Sequence, residues 1–144
     1  MKIALASDHA GFAEKEKLKP LLRDLGVEFE DLGTESEASV DYPDYAAKVA
    51  EAVAEGRAEQ GLLVCSSGTG MAITANKVPG VRAAVAWSEE TARLARQHND
   101  ANVLALGART TPPDDIPKIV RAWFSASFEG GRHAARVEKI RNLE

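Results

Sequence analysis

Leu62-Leu63-Val64-Cys65-Ser66-Ser67-Gly68-Thr69-Gly70-Met71-Ala72-Ile73 is the stretch from which the rest of this 144-residue chain can be read. Leu62 to Val64 reads as a buried strand running into Cys65. Ser66 to Gly70 is a turn of small residues, and Met71 to Lys77 is compatible with a helix. A strand that ends in such a turn and feeds a helix gathers backbone N–H groups around one point. Those groups and the helix dipole favour negative charge there. Cys65, the only cysteine, stands at the lip of the turn. A thiolate beside a helix N-terminus is stabilised and can act as base or nucleophile near neutral pH. A lone cysteine is more often a small buried hydrophobe. The Ser/Gly run directly after this one tips the reading towards chemistry.

Outward from that stretch, strands and helices alternate. Ile3 to Ser7 reads as a first buried strand, and Asp8-His9-Ala10-Gly11 as the turn after it. Leu18, Leu21, Leu22 and Leu25 fall at i, i+3, i+4 and i+7 of a helix. Pro20 predicts a kink or break within it, and Gly26 a stop. Val27 to Leu32 reads as strand two, followed by a polar loop over 33–41. Tyr42-Pro43 opens a helix with Tyr45, Val49 and Val53 on one face, ended by Gly56. After the central stretch, Pro79-Gly80 is a turn pair and Val81 to Trp87 a fourth strand. Ser88 caps the next helix, which runs out at Gln97-His98-Asn99-Asp100. Asn102 to Leu106 is a fifth strand, left through Gly107-Ala108-Arg109. Ile116, Ile119, Val120, Trp123 and Phe124 share one face of a helix opened by Pro112-Pro113-Asp114-Asp115. Gly130-Gly131 breaks it, and a charged helix runs from about Arg132 to Leu143. This rhythm predicts βα units, right-handed crossovers and a parallel sheet covered on both faces. One domain over 1–144 accommodates it.

Composition narrows the function. Hydrophobic content of 44% and charged content of 28% are those of an ordinary soluble domain. A net charge of −4 argues against a general nucleic-acid or membrane-surface role. One cysteine excludes an intramolecular disulfide and a Cys-rich metal site and fits a reducing cytoplasm. No apolar run approaches the length of a membrane span, and no signal-peptide pattern opens the chain.

The chemically competent residues cluster in turns. Asp8 and His9 follow strand one, Cys65 to Ser67 follow strand three, and Arg109 follows strand five. His98 and Asn99 follow the fourth helix. Parallel sheets bind ligands outside the carboxyl ends of their strands, so together these residues make a better case than any does singly. Arg132 and Arg136, four apart, lie on one helix face. Such a pair suits a phosphate, which carries roughly −1.5 to −2 charge near neutral pH. A solvated face is the commoner reading of an Arg pair. The sharp turn Glu129-Gly130-Gly131 could carry this last helix away from its own domain to a partner subunit.

Five motifs in order resemble one family. They are Ser7-Asp8-His9-Ala10-Gly11-Phe12, Asp41-Tyr42-Pro43, and Val64 to Gly70 with Ala75-Asn76-Lys77. Arg96-Gln97-His98-Asn99-Asp100-Ala101-Asn102 and Glu129-Gly130-Gly131-Arg132-His133 with Arg136 complete the set. The chain is similar along its whole length to the type B ribose-5-phosphate isomerases. That family also holds allose-6-phosphate isomerase and the galactose-6-phosphate isomerase subunits. The resemblance implies an α/β fold, a Rossmann-like three-layer sandwich with five parallel strands in the order 2-1-3-5-4. It implies a cytoplasmic homodimer, in some members a tetramer, with active sites shared between subunits. It implies interconversion of an aldose and a ketose phosphate, here ribose 5-phosphate and ribulose 5-phosphate, with no metal and no other cofactor.

The resemblance also distributes roles. Cys65 is the base that moves a proton between C1 and C2 through an enediolate. The N–H groups of Ser66, Ser67, Gly68, Thr69 and Gly70 hold the oxyanion. Ser67, where many members carry Thr, passes protons between substrate oxygens. His98 opens the furanose ring, and Asp8 orients the sugar hydroxyls. His9, Arg109, Arg132 and Arg136 bind phosphate, while Asp41, Tyr42 and Asn99 line the sugar site. Two departures stand out. Ser66-Ser67 replaces the usual Gly-Thr, and Met71 stands where a cysteine-free branch carries a catalytic Glu, so this chain depends on Cys65.

Rival readings fit less well. A thiol phosphatase loop needs Arg six residues after its Cys, and that position is Met71. A dithiol redox protein needs a second cysteine. A non-catalytic phosphosugar- or nucleotide-binding domain is the main non-enzyme alternative, but no G-x-G-x-x-G follows the first strand. Among enzymes, the alternatives are isomerases of allose 6-phosphate or galactose 6-phosphate.

Overall fold

The computed structural model describes residues 1–144. Five parallel strands form one sheet: β1 (Lys2–Ser7), β2 (Glu28–Asp31), β3 (Gln60–Cys65), β4 (Ala83–Val85) and β5 (Val103–Gly107). Their order is β2-β1-β3-β5-β4, as the resemblance implies. β3 is central, pairing Ser7 with Val64 on one side and Gly107 with Cys65 on the other. Six helices complete the fold: α1 (Phe12–Asp24), α2 (Tyr42–Ala54), α3 (Thr69–Ala75), α4 (Glu89–Asn99), α5 (Asp115–Ser125) and α6 (Arg132–Arg141).

Two cores follow from the alternation of side chains along each strand. Leu62 and Val64 of β3 face one layer, where Leu18, Leu22, Ile116, Ile119 and Trp123 pack. Leu63 and Cys65 face the other, against Ala46, Val49, Ala50, Met71 and Ala75. The period of two therefore aims the Cys65 side chain at α2 and α3. Trp123 is wholly buried, and its indole N–H donates to Gln60 Oε1 at 2.7 Å. That bond satisfies the one polar atom which burying a Trp would otherwise strand.

Some boundaries differ from the sequence expectation. α1 runs unbroken through Pro20. The proline forfeits one i→i−4 bond, but Leu18 and Leu22 on either side are locked into the core. β4 spans three residues where seven were expected, because as an edge strand it pairs only with β5, from Ala83 to Val85. Trp87, beyond it, is 58% exposed. Ser88 accepts from Thr91 N–H and caps α4 in a reciprocal capping box. No helix is long and apolar enough to cross a membrane.

Lys15 is a feature the apolar pattern hid. It occupies the buried face of α1 with Leu18 and Leu22 and is 0% exposed. Its ammonium donates to both Asp31 carboxylate oxygens, at 2.7 and 2.8 Å, and to Thr34 O at 2.6 Å. All three of its donors are thereby used, which is what makes a buried charge tolerable.

Candidate active site

The β3–α3 turn builds the centre. Gly68 takes φ +81°, a left-handed conformation that L side chains rarely adopt, and a Cβ there would meet the Leu106 backbone at 3.1 Å. That turn aims the Gly68 N–H at Cys65 Sγ, 3.0 Å away. The exit of β5 clamps the same turn, as Ala108 N–H donates to Cys65 O at 2.8 Å and Arg109 N–H to Ser66 O at 2.9 Å. Thr69 N–H lies 3.4 Å from Ser67 Oγ.

β1 delivers the neighbouring acid. Asp8 N–H donates to Val64 O at 3.3 Å, and its buried carboxylate accepts from Gly11 N–H at 2.9 Å. Gly11 itself permits the approach, since a Cβ would fall 2.1 Å from Val64 O. His9 Nδ1 accepts from Val40 N–H at 3.1 Å. Asp41 holds the N-cap position of α2 without a side-chain capping bond, and Tyr42 begins the helix. The Tyr42 ring lies over Gly70, where a Cβ would come 2.5 Å from Cε1. Asp8, His9, Asp41, Tyr42, Cys65, the 66–70 turn and Arg109 are thus assembled at the carboxyl end of the sheet.

Protonation of Cys65 departs from the sequence expectation. Burial pushes its thiol above the ordinary range. Backbone N–H groups of Met71, Gly68 and Ser67 oppose that shift, and the Asp8 charge adds to it. Burial prevails, so the thiol stays above its ordinary range despite the donors that favour its anion.

The second set of residues lies elsewhere. α4 starts after β4 and runs back, so His98 and Asn99 end up beside the amino ends of β4 and β5. Arg82, just before β4, donates from Nε to Asn99 O at 3.1 Å. Cys65 is four strand steps further along the Gly61–Val103 register, on the order of 13 Å at about 3.3 Å per step. α6 starts at the same far end. Glu129 N–H donates to Gln97 O at 3.0 Å, and the His98 and His133 rings stack with centroids 4.2 Å apart and planes 12° apart. Arg132 and Arg136 follow on α6. One chain therefore does not bring His98, Asn99, Arg132 and Arg136 to the Cys65 rim, as a single cluster of turns would have required.

His98, Glu129 and His133 offer three ligand atoms within 4.8 Å of one another. His98 Nε2 lies 3.3 Å from Glu129 Oε1. The stacked rings put their in-plane lone pairs in nearly parallel planes, so the two cannot aim at a common ion. Desolvation first, then the charges of His98, Arg132 and Arg136, push His133 below the usual imidazole range, against Glu129. The nearby guanidinium groups also oppose a divalent cation. The arrangement is an electropositive lip rather than a metal cage.

A doubly wound α/β sandwich with a thiol in a donor-rich turn at the carboxyl end of its central strand is the class that fold and site define. The chain belongs to the ribose/galactose isomerase family, whose profile matches residues 3–140. It is 48% identical over 143 residues to ribose-5-phosphate isomerase B of Escherichia coli, with 99% of this chain and 96% of that protein covered. The structure of Clostridium thermocellum ribose-5-phosphate isomerase B superimposes with a TM-score of 0.97 at 49% identity, over 99% of this chain and 97% of that one. Trypanosoma brucei type B ribose 5-phosphate isomerase gives 0.96 at 47%, over 99% and 98%.

Proposed function

We propose that this chain, as one 144-residue domain, interconverts ribose 5-phosphate and ribulose 5-phosphate, with Cys65 as the base. The observation that carries the reading is the thiol held 3.0 Å from the Gly68 N–H inside a turn of backbone donors. Aldose–ketose isomerisation needs a base next to a hole for the oxyanion it creates. Cys65 Sγ, once deprotonated, takes the C2 proton of the open-chain aldose. The C2–H electron pair forms the C1=C2 bond, and the aldehyde oxygen becomes the enediolate oxygen. Return of the proton to C1 leaves the C2 ketone. The 66–70 N–H groups face the developing anion, and one such donor is worth roughly 3–4 kcal/mol where it has been removed from other enzymes. Ser67 moves the hydroxyl proton between O1 and O2, and Asp8 orients the sugar hydroxyls. Asp41 and Tyr42 wall the sugar.

The working site spans two chains. His98 and Asn99 sit at the wrong end of their own sheet to reach their own Cys65, so a second copy supplies them, together with Arg132 and Arg136 on α6. His98 opens the furanose ring and Asn99 lines the sugar. His9 and Arg109 of one chain, with Arg132 and Arg136 of its partner, hold the phosphate. α6 and the residues after it suit this role: Val137 is buried, whereas Ile140 and, past the helix end, Leu143 are 43% and 87% exposed. A cytoplasmic homodimer that needs no cofactor fits this arrangement.

The test is initial rates on ribose 5-phosphate and allose 6-phosphate, side by side with chelator present. Fast turnover of the pentose supports the assignment. Turnover of the hexose alone moves the substrate, and silence on both from folded protein rejects it.

A further inference from the structure

We infer that Arg82, acting through Asp100 and with Arg96, is a positioning residue of the isomerase: it fixes the turn that presents His98 and Asn99 to the partner's site. This rests on the two-chain reading of the site.

The turn at the end of α4 is held unusually firmly. Asp100 is the one non-glycine residue of positive φ, +46°, a conformation that costs a β-carbon-bearing residue energy unless its surroundings enforce it. Arg82 enforces it from 18 residues away. Its Nη2 donates to Asp100 O at 2.8 Å and lies 3.3 Å from Oδ2, and its Nε donates to Asn99 O at 3.1 Å and Asp100 O at 3.2 Å. Arg96 closes the other side, with Nη1 3.2 Å from Asp100 Oδ1 and bonded to Ala101 O. The Arg96 guanidinium stacks over Trp123, 5.7 Å from the ring.

Arg82 is itself fixed at its backbone. Its N–H donates to Asn102 Oδ1 at 2.7 Å, and Asn102 Nδ2 donates to Gly80 O at 2.9 Å. Both guanidinium groups are nearly buried, at 11% side-chain exposure. Every acceptor that the 99–101 backbone and the Asp100 carboxylate present is thus engaged by the rest of the fold. The Asn99 side chain makes no such bond, and His98 meets Glu129 and the His133 ring of α6. This is the pattern of a rigid backbone carrying two side chains left free for a ligand. A loop alone would not hold them, and a displacement of about 1 Å can cost 10²-fold in rate. A planar fork with several donors does what a lysine could not.

The test uses the full-length dimer. Arg82→Ala is expected to lower kcat roughly 10- to 100-fold at temperatures well below its melting transition. Guanidinium in the buffer should restore much of it, because Arg82 lines an open cavity of about 650 Å3 beneath the end of α6. The same guanidinium should leave His98→Ala unchanged. Asp100→Gly keeps the left-handed turn without backbone strain but removes the carboxylate between the two arginines, so it should lower the melting temperature and, assayed well below that transition, lose turnover. Near-normal kcat in both Arg82→Ala and Asp100→Gly, with His98→Ala severely impaired, overturns the positioning role and leaves the site reading intact. A loss in Arg82→Ala that guanidinium does not restore, with Asp100→Gly normal, reduces Arg82 to a structural residue. Normal turnover in His98→Ala overturns the site reading itself, and this inference with it.

Discussion

Cys65 and His98 stand at opposite ends of one sheet, the first at the carboxyl end of β3 and the second beside the amino ends of β4 and β5. In a two-fold dimer each site then takes one of them from each chain. Cys65→Ala and His98→Ala homodimers should both be impaired. Subunit exchange between them creates heterodimers with one site doubly damaged and one intact. An equal mixture should recover roughly a quarter of wild-type turnover by this symmetry. No recovery, with exchange shown by mass spectrometry, would place both residues in one chain's site.

Cys65→Ala alone should lower kcat by roughly 10²–10⁴, the range for a positioned acid–base group, with the fold intact because the side chain shrinks by a single atom. Circular dichroism and initial rates check this together. Turnover near normal would remove the base assignment.

Burial sets the pH at which the proposed base becomes available. The Cys65 thiol is raised above its ordinary value by burial, and Asp8 adds to the rise. The base must be deprotonated, so kcat/KM should climb with pH through the alkaline range rather than level off near neutrality. Asp8→Asn removes the added charge while keeping an oxygen for the Gly11 N–H. The thiolate absorbance should then appear at lower pH even as turnover falls. An unmoved titration would mean that Asp8 does not act on the thiol electrostatically.

Lys15 and Asp31 make the fold itself pH-sensitive. Burial acts to raise the Asp31 carboxyl, but its bonds from Lys15, Lys19 and Gly33 outweigh that and hold it below the usual range. A carboxylate with a depressed folded value contributes stability above its unfolded value and loses it as pH falls through the folded one. Lys15→Met should cost roughly 2–4 kcal/mol near neutrality, less than the largest losses for broken buried pairs because Lys19 still reaches Asp31. Urea melts at neutral and acid pH should show the gap between variant and wild type narrowing as pH falls. A constant gap would remove Asp31 from the account.

Gly70→Ala probes the sugar wall. Its Cβ would sit 2.5 Å from the Tyr42 ring, and Tyr42 at the start of α2 is half-exposed and can swing outwards. KM should rise several-fold with the melting temperature little changed. An unchanged KM would remove Tyr42 from the substrate's surroundings.

Much of this was legible in the chain alone. Apolar runs and small-residue turns in alternation dictated parallel βα units, because only such strands are buried on both faces. Five separated motifs named the family, and Cys65 before a Ser/Gly turn marked the candidate reactive group. Boundaries failed where pairing, not pattern, decides: β4 stops at Val85 because an edge strand has one neighbour, and α1 survives Pro20 because its flanking leucines are buried.

Tertiary structure alone decided three things. It raised the thiol, because burial depends on layers that a local motif cannot report. It neutralised Lys15 with Asp31 across 16 residues, where the sequence shows only a cation among leucines. It also set the candidate site residues at two ends of the sheet. A turn after a strand and a turn after a helix look alike in sequence, but a helix that returns antiparallel to its strand carries its last residues to the opposite rim. That reversal is a property of the path in space, so the chain lists the candidate groups while the fold sets them at opposite ends of the sheet.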